Sequence, residues 1–157
     1  MAAAIIRTFT LVLLLVAAGL GSVSAAETFR TDRLTIETAS GGKYPFAIEV
    51  AETPRQMAQG LMFRETMAPD AGMLFVLQQL QTLSMWMKNT FIPLDMVFIG
   101  PDGRIVNIHE NAVPQSLDTI SSAGQVKGVL EINGGMAARL GIRAGDRVVH
   151  PAFQQPG

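Results

Sequence analysis

Six residues have side chains and spacing suited to a small binding site: Arg64, Trp86, Lys88, Asn89, Asp95 and Glu131. Four of them lie in one stretch, Met85-Trp86-Met87-Lys88-Asn89-Thr90-Phe91-Ile92-Pro93-Leu94-Asp95, which carries the only tryptophan. Trp86 offers a flat apolar surface with one N–H donor. Asn89 presents both a donor and an acceptor. Arg64, at the end of Leu61-Met62-Phe63, has the planar fork that clamps a carboxylate or an anion. Each residue also has an ordinary structural reading: a core indole, an asparagine that satisfies a loop, an internal ion pair.

Three chemistries compete for this set. The leading one is binding without catalysis, with a small molecule, glycan or peptide held by the polar rim beside Trp86. It involves no cofactor and no metal. The second is acid–base hydrolysis or elimination by Asp95 and Glu131, which requires the two carboxyls to converge. The third is copper handling. Met57, Met62, Met67, Met73, Met85 and Met87 supply thioethers suited to Cu(I), and Trp86 could cover the ion. Methionine is equally an ordinary core filler, and the alternation places Met85 and Met87 on an apolar strand face.

Other chemistries lack their residues. There is no cysteine, so no thiol nucleophile, disulfide or thiolate ligand exists. His109 and His150 show no metal-ligand spacing. Ser116, Ser121 and Ser122 lie outside any Gly-x-Ser-x-Gly elbow. Gly41-Gly42 and Gly134-Gly135 lack the spacing of a phosphate loop. The formal net charge is −1, and a nucleic-acid partner needs a basic excess or stripe.

The elements that must position these residues read as short strands. Thr28 to Thr38 and Tyr44 to Ala51 alternate in polarity around Gly41-Gly42, as in a hairpin. Thr53-Pro54-Arg55-Gln56 is a capping-box helix start, and Gly60 is placed to end the helix. Gly72 to Leu77 reads as a strand buried on both faces, and Gln78 to Thr82 as a loop. Leu83 to Lys88 alternates as a strand, with Trp86 and Lys88 on one face. Asp95 to Ile99 and Arg104 to Glu110 flank the turn Gly100-Pro101-Asp102-Gly103. Asn111 to Gly124 is a long loop. Gln125 to Ile132 is a strand, with Glu131 opposite Leu130 and Ile132. A short helix, Met136 to Leu140, and a last strand through Val148-Val149 follow. The expected fold is mainly β, a compact barrel or distorted sandwich of about eight short strands with two short helices.

Several stretches, in order, resemble one family. Gly60-Leu61-Met62-Phe63-Arg64, Gly72-Met73-Leu74-Phe75, Trp86-Met87-Lys88-Asn89-Thr90 with Ile92-Pro93-Leu94-Asp95, Val129-Leu130-Glu131-Ile132-Asn133-Gly134-Gly135 and Gly145-Asp146 look like domain of unknown function 192. The resemblance spans about Leu34 to Val149. It implies a compact β-rich domain, often exported, and brings no catalytic residue. Met85 departs from the aromatic residue expected there, which would alter the wall of a pocket.

Residues 1–26 read as a cleaved secretory signal. Arg7 precedes the apolar run Leu11 to Ala18, and Val23-Ser24-Ala25-Ala26 offers small residues for cleavage. The apolar run is short for a membrane span, which needs about 20 residues. Residues 27–157 form one domain, expected in the periplasm or outside the cell and without membrane contact after cleavage.

Overall fold

The computed structural model describes residues 26–153; the segment 1–26 read as a secretory signal lies outside them except for its last residue. The described residues hold nine strands: β1 Arg30–Glu37, β2 Lys43–Ala51, β3 Ala71–Gln81, β4 Ser84–Met85, β5 Leu94–Ile99, β6 Ile105–Ala112, β7 Ile120–Ser121, β8 Val126–Asn133 and β9 Arg147–Val149. Two short helices, α1 Pro54–Gln59 and α2 Met136–Leu140, and a 3-10 turn, Pro151–Phe153, complete the domain.

Seven strands form one sheet in the order β6-β5-β8-β3-β2-β1-β9, and β4 pairs with β7 apart from it. All neighbours in the large sheet are antiparallel except β2 and β3. That parallel pair needs a crossover, and α1 lies within it. The sheet curls until its outer strands meet at one end. Arg104 bridges Arg147, the Ile105 N–H donates to the Asp146 carbonyl at 2.8 Å, and the Gly145 N–H donates to the Ile105 carbonyl at 2.8 Å. The result is a half-barrel, within the barrel-or-sandwich class expected from the alternation.

Helix α1 starts as its sequence dictates. The Thr53 hydroxyl accepts the Gln56 N–H at 3.2 Å, and the Gln56 side-chain oxygen accepts the Thr53 N–H at 3.1 Å. Gly60 closes the helix at φ 48°, a conformation that side chains other than glycine rarely adopt.

The sheet is apolar on both faces. One face buries Leu34, Ile36, Phe46, Ile48, Val97, Leu130 and Ile132 with Met136 and Ala137 of α2. The other buries Met73, Phe75, Leu77, Leu94, Met96, Phe98 and Val129 with Leu61 and Met87. No helix among the described residues is long and apolar enough to cross a membrane.

Three stretches differ from the sequence reading. β3 continues through Gln81 rather than ending at Leu77. Residues 78–81 are exposed because the strand runs past the packed core, so its polarity there is not that of a loop. The alternating run Leu83 to Lys88 keeps only two strand residues, Ser84 and Met85. Beyond them the Met87 N–H donates to the Ser116 carbonyl, and a turn closes from the Thr90 N–H to the Met87 carbonyl, each at 3.0 Å. The loop read from Asn111 to Gly124 yields its first two residues to β6 and Ile120–Ser121 to β7.

Candidate functional site

A cavity of about 530 Å³ opens on the sheet face that carries Met73 and Met96. One wall is α1 and the turn after it: Met57, Gln59, Gly60, Leu61 and Met62. Phe75 and Leu77 of β3 form a second side. Leu83, Ser84, Met85, Trp86, Lys88 and Thr90 form the third, joined by Thr119. Glu131 also lines the space.

Glu131 is set there by strand alternation. It stands across the ladder from Met73 of β3 and Met96 of β5, and shares a face with Val129. It is 4% exposed. Burial pushes its carboxyl up to about 8, with no hydrogen bond or neighbouring charge acting against the shift. Among the described residues no fully enclosed side-chain oxygen lacks a partner, so the carboxyl keeps its access to the cavity. At neutral pH it is therefore a neutral acid, with one O–H to donate and oxygen to accept. Lys88 is the other ionisable side chain in the lining, and its Nζ lies 5.5 Å from the Trp86 ring centroid.

Of the six candidates, the structure brings Trp86, Lys88 and Glu131 to this cavity. The other three are placed elsewhere.

Asp95 is fully buried and works as architecture. Its Oδ1 accepts the N–H of Asn111 at 2.8 Å and of Gly135 at 2.9 Å, and its Oδ2 accepts the Ala137 N–H at 2.8 Å. It thereby supplies the cap that Gly135, at φ 78°, has no side chain to give α2. The carboxylate pair does not form. Asp95 pairs with Ile132 and Met96 pairs with Glu131, so Asp95 and Glu131 project from opposite faces of the sheet.

Arg64 does not neutralise Glu131. It pairs instead with Glu49 at 2.6 Å, both side chains partly exposed, and not with Asp95. Asn89 adopts φ 55°, and its carbonyl accepts the Phe63 N–H at 2.8 Å. Its side-chain Nδ2 lies 4.0 Å from the sulfur of Met62, and Asn89 itself does not line the cavity.

The sequence reading took Met85 and Met87 together as core. Met87 is fully buried, whereas Met85 is only partly buried and lines the cavity. Leu61, Phe75, Leu77, Thr90 and Thr119 were not among the candidate site residues, and Met57 and Met62 entered only through the copper reading, although together they make much of the wall. Gly60-Leu61-Met62 was visible as a motif. Its role depends on the approach of α1 to β4, which has no local sequence signal.

Residues 35–150 match the family designated DUF192 and described as an uncharacterized ACR. The chain belongs to this family. Two solved structures resemble this DUF192 protein along most of its length. One, from Sinorhizobium meliloti 1021, is named as a candidate transcription regulator. It is 46% identical, with a TM-score of 0.79, over 82% of this chain and 99% of that one. The other is a protein of unknown function from Novosphingobium aromaticivorans DSM 12444. It is 41% identical, with a TM-score of 0.75, over 81% of this chain and 94% of that one. No curated protein matches the DUF192 chain.

Proposed function

We propose that this DUF192 protein is an exported binding or accessory module whose site is the cavity beside Glu131. The observation that carries the reading is a buried carboxyl that opens onto an apolar, indole-rimmed space without a hydrogen-bond partner of its own. A buried polar group normally has a partner, and a concave apolar pocket with a few polar groups is the usual form of a ligand site. The lining is rich in thioether, aliphatic and aromatic groups and poor in donors. A glycan, which needs many hydrogen bonds, suits it badly. A small, weakly hydrated ligand or the apolar side chain of a peptide suits it well.

Export is part of the proposal and rests on the segment 1–26. Cell fractionation followed by N-terminal sequencing of the recovered protein tests it. Recovery from the envelope or medium, starting near Ala26 or Glu27, is the expected result. DNA binding is not part of the proposal, because a net charge of −1 gives no basic excess for DNA phosphates.

The binding reading is tested by thermal shift and Trp86 fluorescence against small apolar molecules, short apolar peptides and sugars. Weakly hydrated ligands should raise the melting temperature and change the emission, and Glu131→Leu should abolish both effects. If no compound of any class moves either signal, the cavity does not hold an organic ligand.

A further inference from the structure

We propose that this cavity is a Cu(I) site in which Met57, Met62 and Met85 supply thioether ligands and Trp86 covers the ion. The proposal rests on the reading of the cavity as a binding site, and names its ligand.

The methionines differ in setting: Met136 is in the core, and Met67 is partly buried away from the cavity. Met73, Met87 and Met96 are each 0% exposed and fill the core, which is the ordinary use of the residue. Met57 and Met85 are only partly buried, as is Met62, and all three line the open cavity. They come from three segments, α1, the turn after it and β4, so no local periodicity explains their meeting. The Asn89 Nδ2 lies 4.0 Å from the Met62 sulfur, a weak contact that a metal ion would replace or that would leave the sulfur its second lone pair.

The donor set selects the ion. Thioethers are soft and neutral and suit Cu(I) over hard cations. Among the described residues no cluster of three or more His, Cys, Asp or Glu could hold a harder metal. A cysteine-free site also suits export, because thioethers form no disulfides in an oxidising compartment. The Trp86 ring already receives a cation, the Lys88 ammonium at 5.5 Å, so its face is open to a positive charge. Binding involves no redox step. Cu(I) enters as Cu(I), Lys88 swings out to solvent, and any proton displaced from Glu131 leaves to bulk water.

The test is a Cu(I) titration of the protein expressed from its full sequence, in anaerobic buffer with ascorbate, against a chromophoric Cu(I) chelator. The expected result is one Cu(I) withheld from the chelator per chain, with Trp86 emission quenched. Each of Met57→Leu, Met62→Leu and Met85→Leu should weaken binding by at least about tenfold. Met67→Leu, outside the cavity, should leave it unchanged, and Lys88→Gln should tighten it. Circular dichroism establishes that each variant is folded. Failure to compete with the chelator overturns the proposal, as does a folded triple variant that binds like the parent. If Cu(I) fails while small organic ligands still shift Trp86 emission, the binding reading survives alone. If both fail, neither stands.

Discussion

Asp95 and Glu131 leave opposite faces of the same β-ladder, one register step apart. That single step separates a carboxylate saturated by three backbone N–H donors from a carboxyl with none. The two residues therefore answer to different tests.

Glu131 should make stability fall as pH rises. Its carboxyl ionises near 4.5 when solvated but near 8 in the folded protein. Below about 4.5 both states are protonated and it adds no penalty. Between these values the unfolded chain ionises and the folded protein does not, so stability declines; above about 8 the decline levels off. At pH 7 the penalty is roughly 3 kcal/mol. Glu131→Gln removes the titration and should be more stable than the parent at neutral pH by an amount of that order. Urea unfolding of both proteins across this pH window checks it, and parallel profiles would refute the burial argument.

Asp95→Ala should be far more damaging. It leaves three N–H groups around a buried position without their acceptor and uncaps α2. A loss of roughly 3–5 kcal/mol is expected. Asp95→Asn should recover part of it. Hydrogen exchange at Asn111, Gly135 and Ala137 reports whether those amides are the ones released.

Arg64→Ala should do little. Its pair with Glu49 is about one-third exposed on both sides, so a cost of about 0–1 kcal/mol is expected. Ligand-induced changes in Trp86 emission should be unaltered. A loss of binding with unchanged stability would instead return Arg64 to the site.

Phe63→Gly should be neutral or stabilising by up to about 1 kcal/mol. Phe63 holds φ 64° while its ring is 64% exposed, so the backbone relaxes at little cost in packing. The ring meets Phe91 edge-on, with centroids 6.0 Å apart. Denaturation midpoints of the two proteins decide the matter, and a marked loss of stability would mean that the aromatic contact outweighs the strain.

Much of this protein was determined locally by its sequence. Alternation placed β1, β2 and β8, and the turn at Gly100-Pro101-Asp102-Gly103 placed β5 and β6. Thr53, Pro54 and Gln56 set the start of α1, and Gly60 its end, because caps and turns depend on residues within a few positions of one another. The sequence also put Glu131 on the opposite side of its strand from Leu130 and Ile132, since side-chain direction in a strand has a period of two. It could not identify what Glu131 would face. Both faces of this sheet are buried, so polarity alone does not tell one face from the other. The answer came from β8 lying between β5 and β3, with Met96 and Met73 alongside. The opening stretch, Met85 to Asp95, was divided in the same way. Trp86 and Lys88 face the cavity, Met87 enters the core, and Asp95 turns through the sheet to cap a helix 40 residues on. Those fates depend on pairings between distant segments, which only the folded chain brings about.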